Sequence, residues 1–268
     1  MNKIKRILII LLSILTFGGI LGMIPACKET PKAEPETKSG PKFVAHRGYS
    51  QEYVDNTEDS FRAAAKLDFY GIETDIRKSK DGYIICNHDA TVKYADGSEL
   101  TIAQNTRAEL TKKSLKNDKT DEDVYLCTFE SYLRACKEGN KVAVIELKDY
   151  FNTEELYGVL EIIDNEYDID KVTFISFSYA PLLSIKKIDP TIELQYLSQT
   201  ENDPKFENCL SDGISIDIKE TILTEELVRT FHDANLKVNV WTVDDEEYLE
   251  LARAYGVDYV TTNLYWQD

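Results

Sequence analysis

Glu73 and Asp75 stand two positions apart in the apolar, β-rich run Gly71–Ile76. On a strand both carboxylates therefore face one way while Ile72, Thr74 and Ile76 face the other. The run Val142–Leu147 repeats the arrangement, with Val142, Val144, Glu146 and the following Lys148 on one parity and Ala143, Ile145 and Leu147 on the opposite one. Three carboxylates and a lysine on inward faces form an oxygen-rich set of the kind that binds one hard divalent cation, Ca2+ or Mg2+. For a lone Glu-x-Asp, a salt-bridge cluster filled by Lys148 and Arg77 is the competing explanation. The chain has three histidines. His46, in His46-Arg47-Gly48, and His88, in His88-Asp89, stand where strand-like runs meet loops, and such a pair can supply a general base and a general acid near neutral pH. His232 ends a helical stretch and reads as a capping or packing residue.

These side chains need a frame that brings separate strands together. Eight strands are predicted: Phe43–Ala45, Gly71–Ile76, Val142–Leu147, Val172–Ser176, Ile192–Tyr196, Gly213–Ile216, Leu236–Trp241 and Asp258–Thr262. Amphipathic stretches lie between them at Glu58–Leu67, Phe129–Lys137, Thr153–Asp164, Tyr179–Ile188, Thr224–His232 and Asp245–Tyr255, several opened by a Thr, Ser or Asp cap. The segment Gln199–Leu210, broken by Pro204, is a weaker helix, and the long polar connection Asp89–Leu126 is partly helical at Arg107–Leu115. Alternating strands and helices without a composition break give α/β class, a single-domain (β/α)8 TIM-type barrel over residues 43–268. A doubly wound open sheet is the runner-up, unsupported by any Gly-rich phosphate loop after the first strand. In the barrel, Glu73, Asp75 and Glu146 converge at the C-terminal ends of the strands, where barrel active sites lie.

The charge balance narrows the partners. With 48 acidic and 31 basic residues the net charge is −17, which excludes nucleic acid as a natural ligand because its binding needs clustered cations. An anionic substrate is also repelled at long range, so a phosphate site must carry its own positive charge. Residues 1–26 read as an export segment: basic at Met1–Arg6, apolar over Ile7–Ile24, with Ala26 before Cys27. Ile24-Pro25-Ala26-Cys27 resembles a bacterial lipobox, which makes membrane attachment through a lipidated Cys27 the expected outcome; an uncleaved anchor and plain secretion are the alternatives. Residues 27–42, rich in Pro, Lys, Glu and Thr, form a flexible linker. The remaining cysteines, Cys86, Cys127, Cys136 and Cys209, show no C-x-x-C spacing, and a buried free thiol is the expected state of Cys86.

The motifs His46-Arg47-Gly48, Asp55-Asn56-Thr57, Gly71-Ile72-Glu73-Thr74-Asp75, Asp81-Gly82, His88-Asp89, Ile145-Glu146-Leu147-Lys148, Ser176-Phe177, Trp241-Thr242-Val243 and Gly256-Val257-Asp258 follow one another in an order and spacing that resembles the glycerophosphodiester phosphodiesterases. The resemblance runs from Phe43 to Asn263 and implies a TIM-type barrel that cleaves deacylated phospholipids to glycerol 3-phosphate and an alcohol. It further implies Glu73, Asp75 and Glu146 as metal ligands, His46 and His88 as the acid–base pair, and Arg47 and Lys148 as phosphate contacts. Trp241 is implied as an apolar wall against the glycerol carbons, with a barrel-core aromatic as the alternative, and Asp89 as an orienting partner of His88. Two positions depart from the family pattern: Asp55 stands for the usual Glu, and Asn263 for the usual Asp after Thr262. Competing functions are a phospholipase D-like or cyclising activity on intact lipids and a surface binding protein that has kept the barrel and lost turnover. The sequence leaves the head group and the oligomeric state open.

Overall fold

The computed structural model describes residues 40–266; the expected export segment 1–26, Cys27 and the linker up to residue 39 lie outside the described residues. The strands in chain order are β1 Lys42–Ala45, β2 Gly71–Lys78, β3 Ile84–Cys86, β4 Thr91–Lys93, β5 Glu99–Thr101, β6 Val142–Leu147, β7 Val172–Ser176, β8 Glu193–Ser198, β9 Ser215–Lys219, β10 Val238–Trp241 and β11 Tyr259–Thr262. The helices are α1 Glu58–Lys66, α2 Arg107–Leu110, α3 Phe129–Gly139, α4 Thr153–Glu166, α5 Tyr179–Ile188, α6 Lys205–Asp212, α7 Glu225–Asp233 and α8 Glu246–Tyr255. Eight strands pair in parallel in the order β1, β11, β10, β9, β8, β7, β6, β2, and β2 returns to β1, closing a (β/α)8 barrel. The open-sheet alternative is thereby excluded.

The parity read from the sequence decides which residues meet. Ile72, Ile76, Ala143, Ile145 and Leu147 face outward and pack with Phe61, Phe129, Tyr132 and Leu156 of the helices. Val44, Val144, Ile175, Leu197 and Tyr259 form a separate cluster inside the barrel. The register sets Asp75 beside Glu146, which puts the inward carboxylates of β2 and β6 at one level. Helix entries follow local capping chemistry: Thr57 and Ser60 form a reciprocal capping box at α1, and Asn152 with Glu155 does the same at α4.

Several boundaries differ from expectation for local reasons. Gly213 adopts a left-handed φ of 63° and ends α6, so the sixth barrel strand starts at Ser215 and runs on to Lys219 rather than covering Gly213–Ile216. The fifth runs to Ser198, two residues past the expected end. Pro204 stands immediately before α6 and marks its start, so the broken pattern of Gln199–Leu210 resolves into Lys205–Asp212. The helix expected over Arg107–Leu115 is one turn, because Leu115 bridges to Tyr94 instead. The Asp89–Leu126 connection holds the β4–β5 hairpin and a satellite core in which Ile85, Val92, Tyr94, Ile102 and Leu110 are buried. Cys86, Cys127, Cys136 and Cys209 are free and buried, as expected of Cys86. Among the described residues no helix is long and apolar enough to cross a membrane.

Candidate active site

The loop after β1 is shaped by two backbone requirements. Arg47 has a φ of 57°, and Gly48 follows at 85°, where an added Cβ would lie 2.4 Å from Ser60 Oγ and 2.7 Å from Ser60 backbone carbon. Only glycine fits there. The turn presents the Arg47 N–H to Glu73 Oε2 at 2.9 Å, while Ser60 Oγ and the Asn56 N–H both donate to the Arg47 carbonyl at 3.0 Å. The first motif is thus held against the first proposed ligand by the start of α1.

Glu73, Asp75 and Glu146 are buried, and one oxygen from each lies within 4.8 Å of the others. Burial and the neighbouring Asp75 push Glu73 well above the usual carboxylate range. The same two causes, with Asp75 again the like charge, raise Glu146 to about 7 despite Lys148 Nζ at 2.9 Å from its Oε1. Asp75 is the opposite case: burial disfavours its charge, but Arg47 Nε at 3.3 Å, Lys148 and a hydrogen bond from Asn56 outweigh that and hold it low. Its Oδ1 still has no hydrogen-bond partner. Two cations, Arg47 and Lys148, thus face three buried carboxylates, one of which keeps a lone pair without a donor. This donor set fits a divalent cation better than a closed salt-bridge cluster. The salt-bridge alternative needed Arg77, and Arg77 turns away: its guanidinium pairs with Asp149 at 2.7 Å and donates twice to the His88 carbonyl, at 2.9 and 2.7 Å.

A cavity of about 250 Å3 opens above the cluster, with His46, Arg47, His88, Lys148 and Trp241 all on its wall beside Glu73 and Glu146. All eight residues singled out from the sequence therefore meet at one place, Asp75 being the buried carboxylate behind the wall. His46 Nδ1 lies 2.7 Å from Asn263 Oδ1; as an amide oxygen accepts only, Nδ1 carries the proton and Nε2 is left as an acceptor. Burial, followed by the adjacent Arg47, lowers the His46 pKa to about 4, so the ring is neutral at physiological pH. His88 is half-exposed, with Nδ1 at 2.9 Å from Asp89 Oδ1, the orienting contact expected of Asp89. Trp241 Nε1 donates to the Asp217 carbonyl at 3.2 Å, and its ring meets Phe177 edge to face with centroids 5.6 Å apart. Asp55 is outside the carboxylate cluster and pairs with Arg47 Nη1 at 3.4 Å, which makes it a brace for that side chain. His232 bonds Asp258 Oδ2 at 2.9 Å, at the end of the barrel where strands begin. A larger hollow of about 540 Å3 at that same end, beside Lys42 and Tyr70, contains none of this chemistry.

Four residues contribute in ways the sequence did not reveal. Asn56, with a φ of 57°, donates to Asp75 Oδ2 at 2.9 Å and accepts from Thr74 Oγ1 at 2.7 Å and the Asp75 N–H at 3.2 Å. Its place in Asp55-Asn56-Thr57 was visible but its role was not. Arg77 and Asp149 brace the His88 backbone, a role no local pattern announces. Asp217 is buried on the cavity wall, with its pKa raised well above the usual range by burial and by Glu146. Extending the sixth strand by one residue on its own parity would have found it.

The glycerophosphoryl diester phosphodiesterase family model matches residues 46–264. A glycerophosphodiester phosphodiesterase of Bacillus altitudinis is 27% identical over 233 residues, covering 83% of this chain and 94% of that protein. Among solved structures, a glycerophosphodiester phosphodiesterase from Parabacteroides distasonis aligns with TM-score 0.72 and 25% identity over 85% of this chain and 94% of its own. A phosphodiesterase of Oleispira antarctica, determined with the product sn-glycerol-3-phosphate, aligns with TM-score 0.77 and 22% identity over 84% of this chain and 93% of its own. With a family match that runs from the loop after β1 through the last barrel strand, the chain belongs to the glycerophosphoryl diester phosphodiesterase family and is an enzyme of that class.

Proposed function

We propose that this protein hydrolyses glycerophosphodiesters to sn-glycerol 3-phosphate and an alcohol, with one divalent cation, Ca2+ or Mg2+, and with His46 and His88 as its proton-transfer groups. The observation that carries the reading is the meeting of both histidines, Arg47 and Lys148 over a carboxylate cluster whose ligand atoms lie within 4.8 Å of one another. Glu73, Asp75 and Glu146 would hold the cation, which when bound supplies the positive charge that draws electron density from a phosphate oxygen. Arg47 and Lys148, both on the cavity wall, bind the remaining phosphate charge. His46 is suited to accept a proton at Nε2, because Asn263 occupies Nδ1 and burial keeps the ring neutral. His88, oriented by Asp89 at Nδ1, offers Nε2 for protonating the leaving alcohol. The bound product in the Oleispira antarctica relative supports the same product for this chain.

The test is release of glycerol 3-phosphate from a panel of glycerophosphodiesters before and after dialysis against EDTA, with Ca2+ or Mg2+ added back. Hydrolysis that disappears with chelator and returns with cation is expected. Full turnover by metal-free protein would remove the assigned role from all three carboxylates together, and absence of glycerol 3-phosphate from every substrate would remove the substrate class.

A further inference from the structure

In the closed barrel β9 lies four strands from β2 in either direction, so Asp217 faces the cavity from the wall opposite Glu73 and Asp75. Its parity follows from the strand: Ile216 and Ile218 pack outward into the main core, and Asp217 points in, level with Leu197 and Asn239. The side chain is 1% exposed, and its Oδ1 has no hydrogen-bond partner among the described residues. A buried acceptor in that state is costly unless something satisfies it. Trp241 is tied by its indole N–H to the Asp217 backbone carbonyl, so ring and carboxyl adjoin on one wall.

We propose that Asp217 is a specificity-determining residue whose carboxyl group accepts a hydrogen bond from a hydroxyl of the substrate's glycerol arm, laid against Trp241. The inference rests on the glycerophosphodiester reading above. A phosphate held at the β2 and β6 side leaves its organic arm to cross the cavity toward β9 and β10, where an apolar ring and an acceptor suit a three-carbon chain bearing hydroxyls. Gln199 and Thr242, on the same wall, add neutral hydrogen-bonding groups. A cationic head group is the less suitable occupant. The aromatic neighbour Phe177 already has Lys148 Nζ 5.9 Å from its ring centre, so a second cation there meets like charge.

The experiment compares wild type, Asp217→Ala and Asp217→Asn on glycerophosphocholine, glycerophosphoethanolamine and bis(p-nitrophenyl) phosphate, the last having no aliphatic hydroxyl. For Asp217→Ala the ratio of kcat/KM on either glycerophosphodiester to that on bis(p-nitrophenyl) phosphate should fall by about 10- to 100-fold, equally for both head groups. Asp217→Asn, which keeps an acceptor oxygen, should recover part of the loss. Inhibition constants give a second readout: glycerol 3-phosphate should weaken against inorganic phosphate in both variants, so the Asn variant alone decides the matter if the Ala variant does not fold. An unchanged ratio, or a loss confined to one of the two head groups, overturns the proposal. Wild-type protein that cleaves bis(p-nitrophenyl) phosphate but no glycerophosphodiester would instead overturn the reading beneath it, and the proposal with it.

Discussion

Removing the Asn56 side chain should weaken the cation site and the fold together, by amounts the geometry sets. Asn56 is 2% exposed and makes three hydrogen bonds around Asp75, one of them to the ionised carboxylate. Loss of a bond to a charged group removes about 1.5–3 kcal/mol, and leaving the Thr74 hydroxyl and the Asp75 N–H buried without an acceptor adds about 1–3 kcal/mol each. Incomplete relaxation and water entry reduce such sums, so about 3–6 kcal/mol is expected for Asn56→Gly, a large share of the roughly 5–15 kcal/mol that holds a domain folded. Glycine is the informative replacement because Asn56 has a φ of 57°; Asn56→Ala should be worse by about 1 kcal/mol from left-handed strain alone. Losing the brace on Asp75, a proposed ligand, should also lower Ca2+ or Mg2+ affinity by about 10- to 100-fold. Urea unfolding in chelator measures the first effect, and calorimetric titration with each cation the second. If Asn56→Gly stays within about 1 kcal/mol of wild type and binds cation unchanged, the hydrogen bonds around Asp75 do not hold it in place and the account of the cluster's geometry is wrong.

Alanine at His46 or at His88 should each lower kcat by about 10²–10⁴-fold, with the double variant hardly worse than the poorer single one; His232→Ala should keep near wild-type turnover, and near wild-type kcat for His88→Ala on a substrate with a poor leaving alcohol would break the two-histidine assignment. Glu146 has a raised pKa of about 7, so its contribution to metal-free stability should be fully lost above that pH and recovered as pH falls toward its unfolded value; His46, lowered to about 4, acts in the opposite sense over an overlapping window. The clean observable is therefore the difference between wild type and Glu146→Gln in chelator: wild type should gain relative to the variant as pH drops from 8 to 5, and a flat difference would contradict the burial argument. Replacing Cys27 by Ser should release a membrane-attached protein in fractionated cells, whereas a wild type already free in the medium would count against lipidation.

What the sequence could reveal was parity, and what it hid depended on where strands stop. Glu73, Asp75 and Glu146 were legible because alternation along a strand is a local property, and the parallel register then had only to set β2 beside β6. Arg77 shares that parity, so alternation alone assigns it to the interior. The antiparallel pairing of Arg77 with Ile85 instead carries β2 beyond the barrel rim, and the guanidinium leaves the cluster for Asp149 and the His88 carbonyl. Asp217 failed for the converse reason: the left-handed Gly213 belongs to the helix end, so the strand is displaced toward its C-terminus and gains one more inward carboxylate than its apolar run suggests. Asn263 illustrates a third kind of limit. An amide in place of the family's usual Asp removes one charge, yet it accepts from His46 and Ser50 while its N–H groups donate to Asp244, so the charge reappears one residue further out. An amide so placed holds the His46 ring in the tautomer a general base needs without the carboxylate contact that would favour protonating it. That relay joins residues 217 positions apart in the chain, and no spacing rule within one strand or loop contains it.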